Sequence, residues 1–144
     1  MSIPVPPARG RRPAPVARRA AVLAVLPLLA ACGETLTDKT TRAMLDCIER
    51  RRPAFVEGRG GEALSIALAP ETEAIATEYR YKAAFDIYQA WADNAPDQVT
   101  LVCALDLASR FKDPDVKAYV GKYRAHPDAP VARAADALLS QYQQ

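Results

Sequence analysis

Residues Ala20 to Cys32, AAVLAVLPLLAAC, form a short uncharged apolar run. Five arginines precede it, Arg9, Arg11, Arg12, Arg18 and Arg19, with no acidic residue among them. Its length decides what it can be. A membrane-spanning helix needs about 20 apolar residues, and Pro27 interrupts this run. A positive stretch, a short apolar core and small residues at its end are the composition of an export signal. An ordinary secretory signal cut after an A-x-A-like end and a retained hydrophobic segment are the alternatives the same residues allow. Met1 to Arg19, rich in Pro, Ala and Arg, reads as unstructured and is long for the positive part of a signal, so a start further in is a further alternative.

Removing the leader changes the chemistry of the chain. All 17 acidic residues follow Cys32, whereas five of the 19 basic ones precede it, so a formal charge of +2 becomes −3 for Cys32 to Gln144. A nucleic-acid partner, which the whole-chain charge would suggest, is not expected of an acidic domain. The remaining length suits one small domain with a modest core.

The last four residues of the run, Leu29-Ala30-Ala31-Cys32, resemble the lipobox of bacterial lipoproteins. The resemblance implies a signal peptide over residues 1–31, cleavage by signal peptidase II, and acyl chains on Cys32. Gly33, where an aspartate would favour retention at the inner membrane, implies sorting to the cell outer membrane with the protein facing the periplasm. Arg18-Arg19 also admits a twin-arginine signal, but the flanking pattern is missing and Sec export fits better. Residues 32–37 then read as a lipidated tether reaching about 15 to 18 Å, and residues 38–144 as a single helical domain close to the membrane.

An oxidising compartment gives the other two cysteines a reading as a pair. A Cys47–Cys103 disulfide would close a loop of roughly 57 residues and contribute roughly 4 kcal/mol. The alternative is that both are small buried apolar residues. No CxxC or Cys/His cluster points to a thioredoxin-like or zinc site, so neither cofactor nor metal is expected.

Periodicity predicts an all-α domain, a small irregular bundle of about five to six helices. The first is expected from Asp38 to Arg51, capped by Thr37 or Asp38, with Met44, Leu45, Ile48 and Cys47 inward and Pro53 discouraging continuation. Arg50, Arg51 and Arg52 read as a solvated helix end; with Arg59, contact to anionic head groups is the alternative. Glu57 to Gly61, EGRGG, fits no phosphate-loop spacing and reads as a linker. A short helix is expected over Glu62 to Ala69.

The strongest pattern is Glu71 to Ala92, free of internal Pro and Gly. Ile75, Tyr79, Ala83, Ile87 and Trp91 step by four, flanked by Tyr81, Phe85 and Tyr88, so this helix reads as central or as carrying a binding surface. Later helices are expected at Gln98 to Phe111, from Asp113-Pro114 to Arg124, and from Val131 to Tyr142. The repeated openings DPDV and DAPV, 15 residues apart, are similar to HEAT-like helix pairs at the C-terminal end.

Catalytic chemistry finds little support. His126 is the single histidine and precedes Pro127 in a turn; Ser65, Ser109 and Ser140 have no nucleophile-elbow setting. Glu71/Glu73 and Asp113/Asp115 sit at helix starts, where the helix dipole accounts for them. The expectation is therefore a non-enzyme: a lipoprotein that binds a protein partner in the envelope, through some of Tyr79, Tyr81, Tyr88, Trp91, Tyr119 and Tyr123. An immunity or inhibitor lipoprotein against a toxic effector or cell-wall hydrolase, and a lipid-tethered carrier of a small apolar ligand, are the alternatives.

Overall fold

The structure, a computed structural model, describes residues 33–78 and 81–143, with the side chains of 76–81 and 143 left out. The expected signal peptide over residues 1–31, Cys32 and Tyr79 therefore lie outside the described residues, as does the Tyr81 side chain. Contacts divide the chain into Met1–Glu34 and Thr35–Gln144, and the second is the body described below.

That body is an irregular all-α bundle. Its α-helices are α1 (Leu36–Val56), α2 (Pro70–Glu78), α3 (Tyr81–Asp93), α4 (Gln98–Ser109), α5 (Pro114–Gly121) and α6 (Ala129–Ser140). Short 3-10 segments occupy Gly60–Ser65, Lys122–Ala125 and Gln141–Gln143, and no strand occurs among the described residues.

Helix α4 is the axis of the fold. Every residue from Val99 to Ser109 is buried, because α1, α3, α5 and α6 all pack against it. Its start is set by Asp97, whose side chain accepts from the Thr100 N–H at 2.9 Å. The expectation that Glu71 to Ala92 would supply the central helix is thus corrected. An amphipathic stripe marks a helix with one solvated face, whereas a helix apolar all round is the one enclosed by others. The inward residues of α3 are Ala84, Phe85, Tyr88 and Ala92, while Ala83 is exposed and Ile87 and Trp91 are half-buried.

Helix α1 is longer at both ends than its sequence suggests. Thr35, not Thr37 or Asp38, is the N-cap: its hydroxyl accepts from Asp38 N–H at 3.1 Å while the Asp38 carboxylate accepts from Thr35 N–H at 3.3 Å. Leu36 and Thr37, expected to precede the helix, lie within it. At the other end Pro53 lies within the helix rather than beyond it. Its missing N–H deprives only the Glu49 carbonyl, and both residues are exposed, so water can serve that oxygen.

The EGRGG stretch closes α1 instead of acting as a loose linker. Gly58 adopts φ +77°, Arg59 N–H donates to the Ala54 carbonyl at 2.7 Å and Gly58 N–H to the Phe55 carbonyl at 3.2 Å, a Schellman cap. Gly60 then passes so close to Phe55 that a Cβ there would lie 2.8 Å from its ring. The helix expected over Glu62 to Ala69 is a 3-10 segment ending at Ser65, followed by irregular chain. That chain is held by side chains from α1: Arg51 donates to the Ile66 carbonyl at 3.2 Å, and Asp46 accepts from Ala69 N–H at 3.0 Å and the Thr72 hydroxyl at 2.7 Å.

The C-terminal pair follows the sequence closely. Val116, Tyr119 and Val120 of α5 and Val131, Ala134, Ala135 and Leu138 of α6 are buried. Helix α5 gives way to a 3-10 segment at Lys122, and α6 opens at Ala129 with Pro130 in its first turn. The two Asp-x-x-Val openings are not locally equivalent. Asp113 accepts from Asp115 N–H at 2.8 Å, whereas Asp128 makes no side-chain cap and its own N–H donates to His126 Nδ1 at 3.0 Å.

Candidate interaction surface

Three successive arginines on α1 point in three directions, and their fates separate the interior from the surface. Steps of about 100° per residue carry Arg50 to Asp46 (2.7 Å), Arg51 inward to Asp106 (2.6 Å) and Arg52 to Asp97 (3.2 Å). The solvated reading holds for Arg50 and Arg52, which are exposed, and fails for Arg51, which is 1% exposed. Asp106 also accepts from Arg110 Nε at 3.2 Å, and Arg110 pairs in turn with Glu73. Burial and these carboxylates act oppositely on the Arg110 guanidinium, and the carboxylates prevail, raising its affinity for the proton. Sequence reasoning missed this network. Two signals were present: an aspartate inside the apolar run VTLVCALDLAS, and an arginine four residues after Cys47 on the inward face.

Cys47 and Cys103, both fully buried, stand with Cα atoms 5.9 Å apart and their sulfurs joined. The bond ties α1 to α4 about one turn before the Arg51–Asp106 pair.

Of the aromatic residues expected from sequence to form a binding surface, Tyr79 and Tyr81 have no described side chain, Trp91 and Tyr123 are half-buried, and Tyr88 and Tyr119 are interior. Tyr88 is 1% exposed and Tyr119 8%, which removes both from any contact surface. Phe85, Tyr119 and Tyr123 form an edge-to-face series at 5.6 Å spacing, and His126 stacks on Tyr123 at 6.1 Å. The Tyr119 hydroxyl donates to Asp93 at 2.7 Å and lies 3.2 Å from the Tyr123 hydroxyl. Burial, then these two partners, push the Tyr119 phenol well above its ordinary range, so it stays a donor. Burial likewise pushes the Tyr142 phenol up to about 12, and its hydroxyl donates to the Ser109 carbonyl at 3.3 Å. These aromatics serve the seam around α5. Trp91 lines an open depression, with Ile87, Ala90 and Pro96.

The apolar surface lies elsewhere, on the outer face of α1. Leu45 is 55% exposed and Val56 80%, and with Ile48 and Pro53 they line an open depression of about 650 Å³ edged by Glu49 and Arg52. A second depression, beside Phe55, Gln98 and Val99, shares Arg52 and Val56 with the first. A third, around Pro96, Leu101 and His126, shares Asp97 and Gln98 with the second. Together they make a band from α1 across the start of α4. Leu45 and Ile48, both expected on the inward stripe, lie off it. The inward residues are Thr40, Ala43, Met44, Cys47, Arg51 and Ala54, and Ile48 is only partly buried against them.

Chemistry-bearing side chains are engaged locally. The hydroxyls of Ser65, Ser109 and Ser140 donate to backbone carbonyls of their own segments. Glu73 pairs with Arg110 and Asp113 caps α5. Among the described residues no group of three or more His, Cys, Asp or Glu side chains is placed to hold a metal ion, and no helix is long and apolar enough to cross a membrane. Comparison with protein-family models, with curated proteins and with solved structures finds no match.

Proposed function

We propose that this chain is a lipid-anchored bacterial lipoprotein, sorted to the outer membrane with its helical domain on the periplasmic side, and that it binds a protein partner there. The observation that carries the binding reading is the exposure of Leu45 and Val56 on the outer face of α1, where with the partly buried Ile48 they line one open depression. Large apolar side chains grouped at the surface lose free energy to water unless something covers them. The lipobox resemblance at Leu29 to Cys32 supports the address. An acyl anchor contributes position and effective concentration rather than chemistry, so a modest patch suffices for a partner held at the same membrane. The depressions are open and shallow, which favours a protein surface over the enclosed pocket that a carrier of small apolar ligands uses.

Capture from envelope membranes by the tethered protein, with the partner identified by mass spectrometry, is the test. Leu45→Glu is expected to abolish recovery of a specific partner, and Cys32→Ala to reduce it while leaving the fold intact. An unacylated wild-type product would overturn the anchoring; recovery indifferent to Leu45→Glu would overturn the use of this face.

A further inference from the structure

We propose that the partner covering the outer face of α1 is a second copy of the same chain, its α1 packed antiparallel about a two-fold axis between residues 50 and 51. This rests on the reading of that face as an interaction surface and names its occupant. The ground is self-complementarity. A two-fold between antiparallel helices brings residue i of one copy level with residue j of the other whenever i and j sum to a constant. With the axis between 50 and 51, Leu45 meets the other copy's Val56 and Glu49 meets its Arg52, each pair occurring twice. Leu45 and Val56 are the two large hydrophobic side chains described as exposed, and they stand three turns apart on one face, roughly 16 Å along the helix. Each can therefore cover the other only from a neighbouring molecule.

The charges agree with the apolar pairs. Glu49 makes no salt bridge to another described residue, although it borders the stripe. Arg52 spends one nitrogen on Asp97 and keeps further donors for a carboxylate across the axis. A parallel arrangement would instead set Glu49 level with Glu49 and Arg52 level with Arg52, like against like. Ile48 and Pro53 border the contact line on its two sides. The stripe is short compared with the 1,200–2,000 Å² of a standard interface, so the free dimer is weak, and tethering on one membrane would raise its occupancy.

Sedimentation equilibrium of the purified full-length Cys32→Ala chain, from about 5 to about 500 µM, measures the association. The wild-type sequence is expected to approach a dimer at the upper concentrations. Glu49→Arg and Arg52→Glu should each weaken association at least about tenfold by placing like charges across the axis, and the double variant should restore it to within about threefold. Thermal melts of all three check that these exposed substitutions leave the fold unchanged. A wild-type chain that stays monomeric at the highest concentration overturns the proposal. A dimer indifferent to the single reversals, or not rescued by the double, does so too. If the chain is monomeric and Leu45→Glu abolishes capture of a different protein or binding to anionic phospholipid vesicles, the face has another occupant and the second copy is excluded. If Leu45→Glu changes neither self-association nor capture, the interaction reading of this face falls with it.

Discussion

Helices α1 and α4 touch along one seam and obey different rules. In α4 the whole circumference is enclosed, so Asp106 survives there only because Arg51 and Arg110 reach it. In α1 the inward face carries the disulfide and the buried arginine, while the opposite face leaves Leu45 and Val56 in water. One helix is buried by its own domain, and the other is buried on one side only. A fold of this size needs α4 for its core and the seam for its order, yet nothing in its own packing explains the apolar outer face of α1. That contrast separates a seam whose role is structural from a face whose proposed role is contact with a partner.

The seam can be broken at its covalent link first. Replacing both Cys47 and Cys103 by serine is expected to lower stability by about 4 kcal/mol, from loop closure over 56 positions. Denaturant unfolding of oxidised wild type against the double variant measures it, and an unchanged midpoint would show that the bond adds no net stability. Next in size is Asp106→Ala, which strands Arg51 in the core. A cost of about 3 kcal/mol is expected, at the low end for a broken buried pair because the Ile66 carbonyl remains a partner. Changing both residues, Arg51→Met with Asp106→Leu, should recover most of that loss.

Gly60→Ala tests the cap where α1 ends. The added methyl would press on the Phe55 ring, and overpacking of this kind is expected to cost about 1 to 2 kcal/mol in a thermal or denaturant melt. Should the variant be as stable as wild type, the Phe55 ring has room to move.

The smallest effect concerns acid. Burial works to raise the Asp46 carboxyl, but hydrogen bonds from Arg50, Thr72 and Ala69 outweigh it and hold the group below the usual carboxylate range. Asp97 is likewise held down, its burial outweighed by Thr100 and Arg52. Both favour the charged form in the folded state. Their contribution is therefore complete above the ordinary carboxylate value and is lost as pH falls through their lowered folded values. Stability should decline below about pH 4, and Asp46→Asn should flatten that decline. Asp97→Ala should lower stability at neutral pH by about 1 kcal/mol, the usual worth of an N-cap.

Helix content, the start of α4 at Gln98 and the opening of α5 at Asp113-Pro114 were legible in the sequence, because capping and hydrophobic periodicity act over a few neighbouring residues. The Cys47–Cys103 pairing was legible as one of two alternatives. The reach of α1 through Pro53 was not: whether a proline ends a helix depends on whether its orphaned carbonyl can meet water, which only the packed fold sets. The aromatic residues misled for a related reason. Tyr88 and Tyr119 carry both an apolar ring and a hydroxyl, and sequence cannot tell a surface phenol from a buried one whose hydroxyl finds a partner such as Asp93.

Composition and local pattern, then, determined an all-α domain in the part of the chain after Cys32, which carries all 17 acidic residues, and most of its helices. Tertiary structure alone decided that α4 lies at the centre, that Arg51 belongs to the core, and that Leu45 and Val56 do not. Burial is a property of what packs around a residue, contributed by elements far away in the chain, and no window of neighbouring residues contains it.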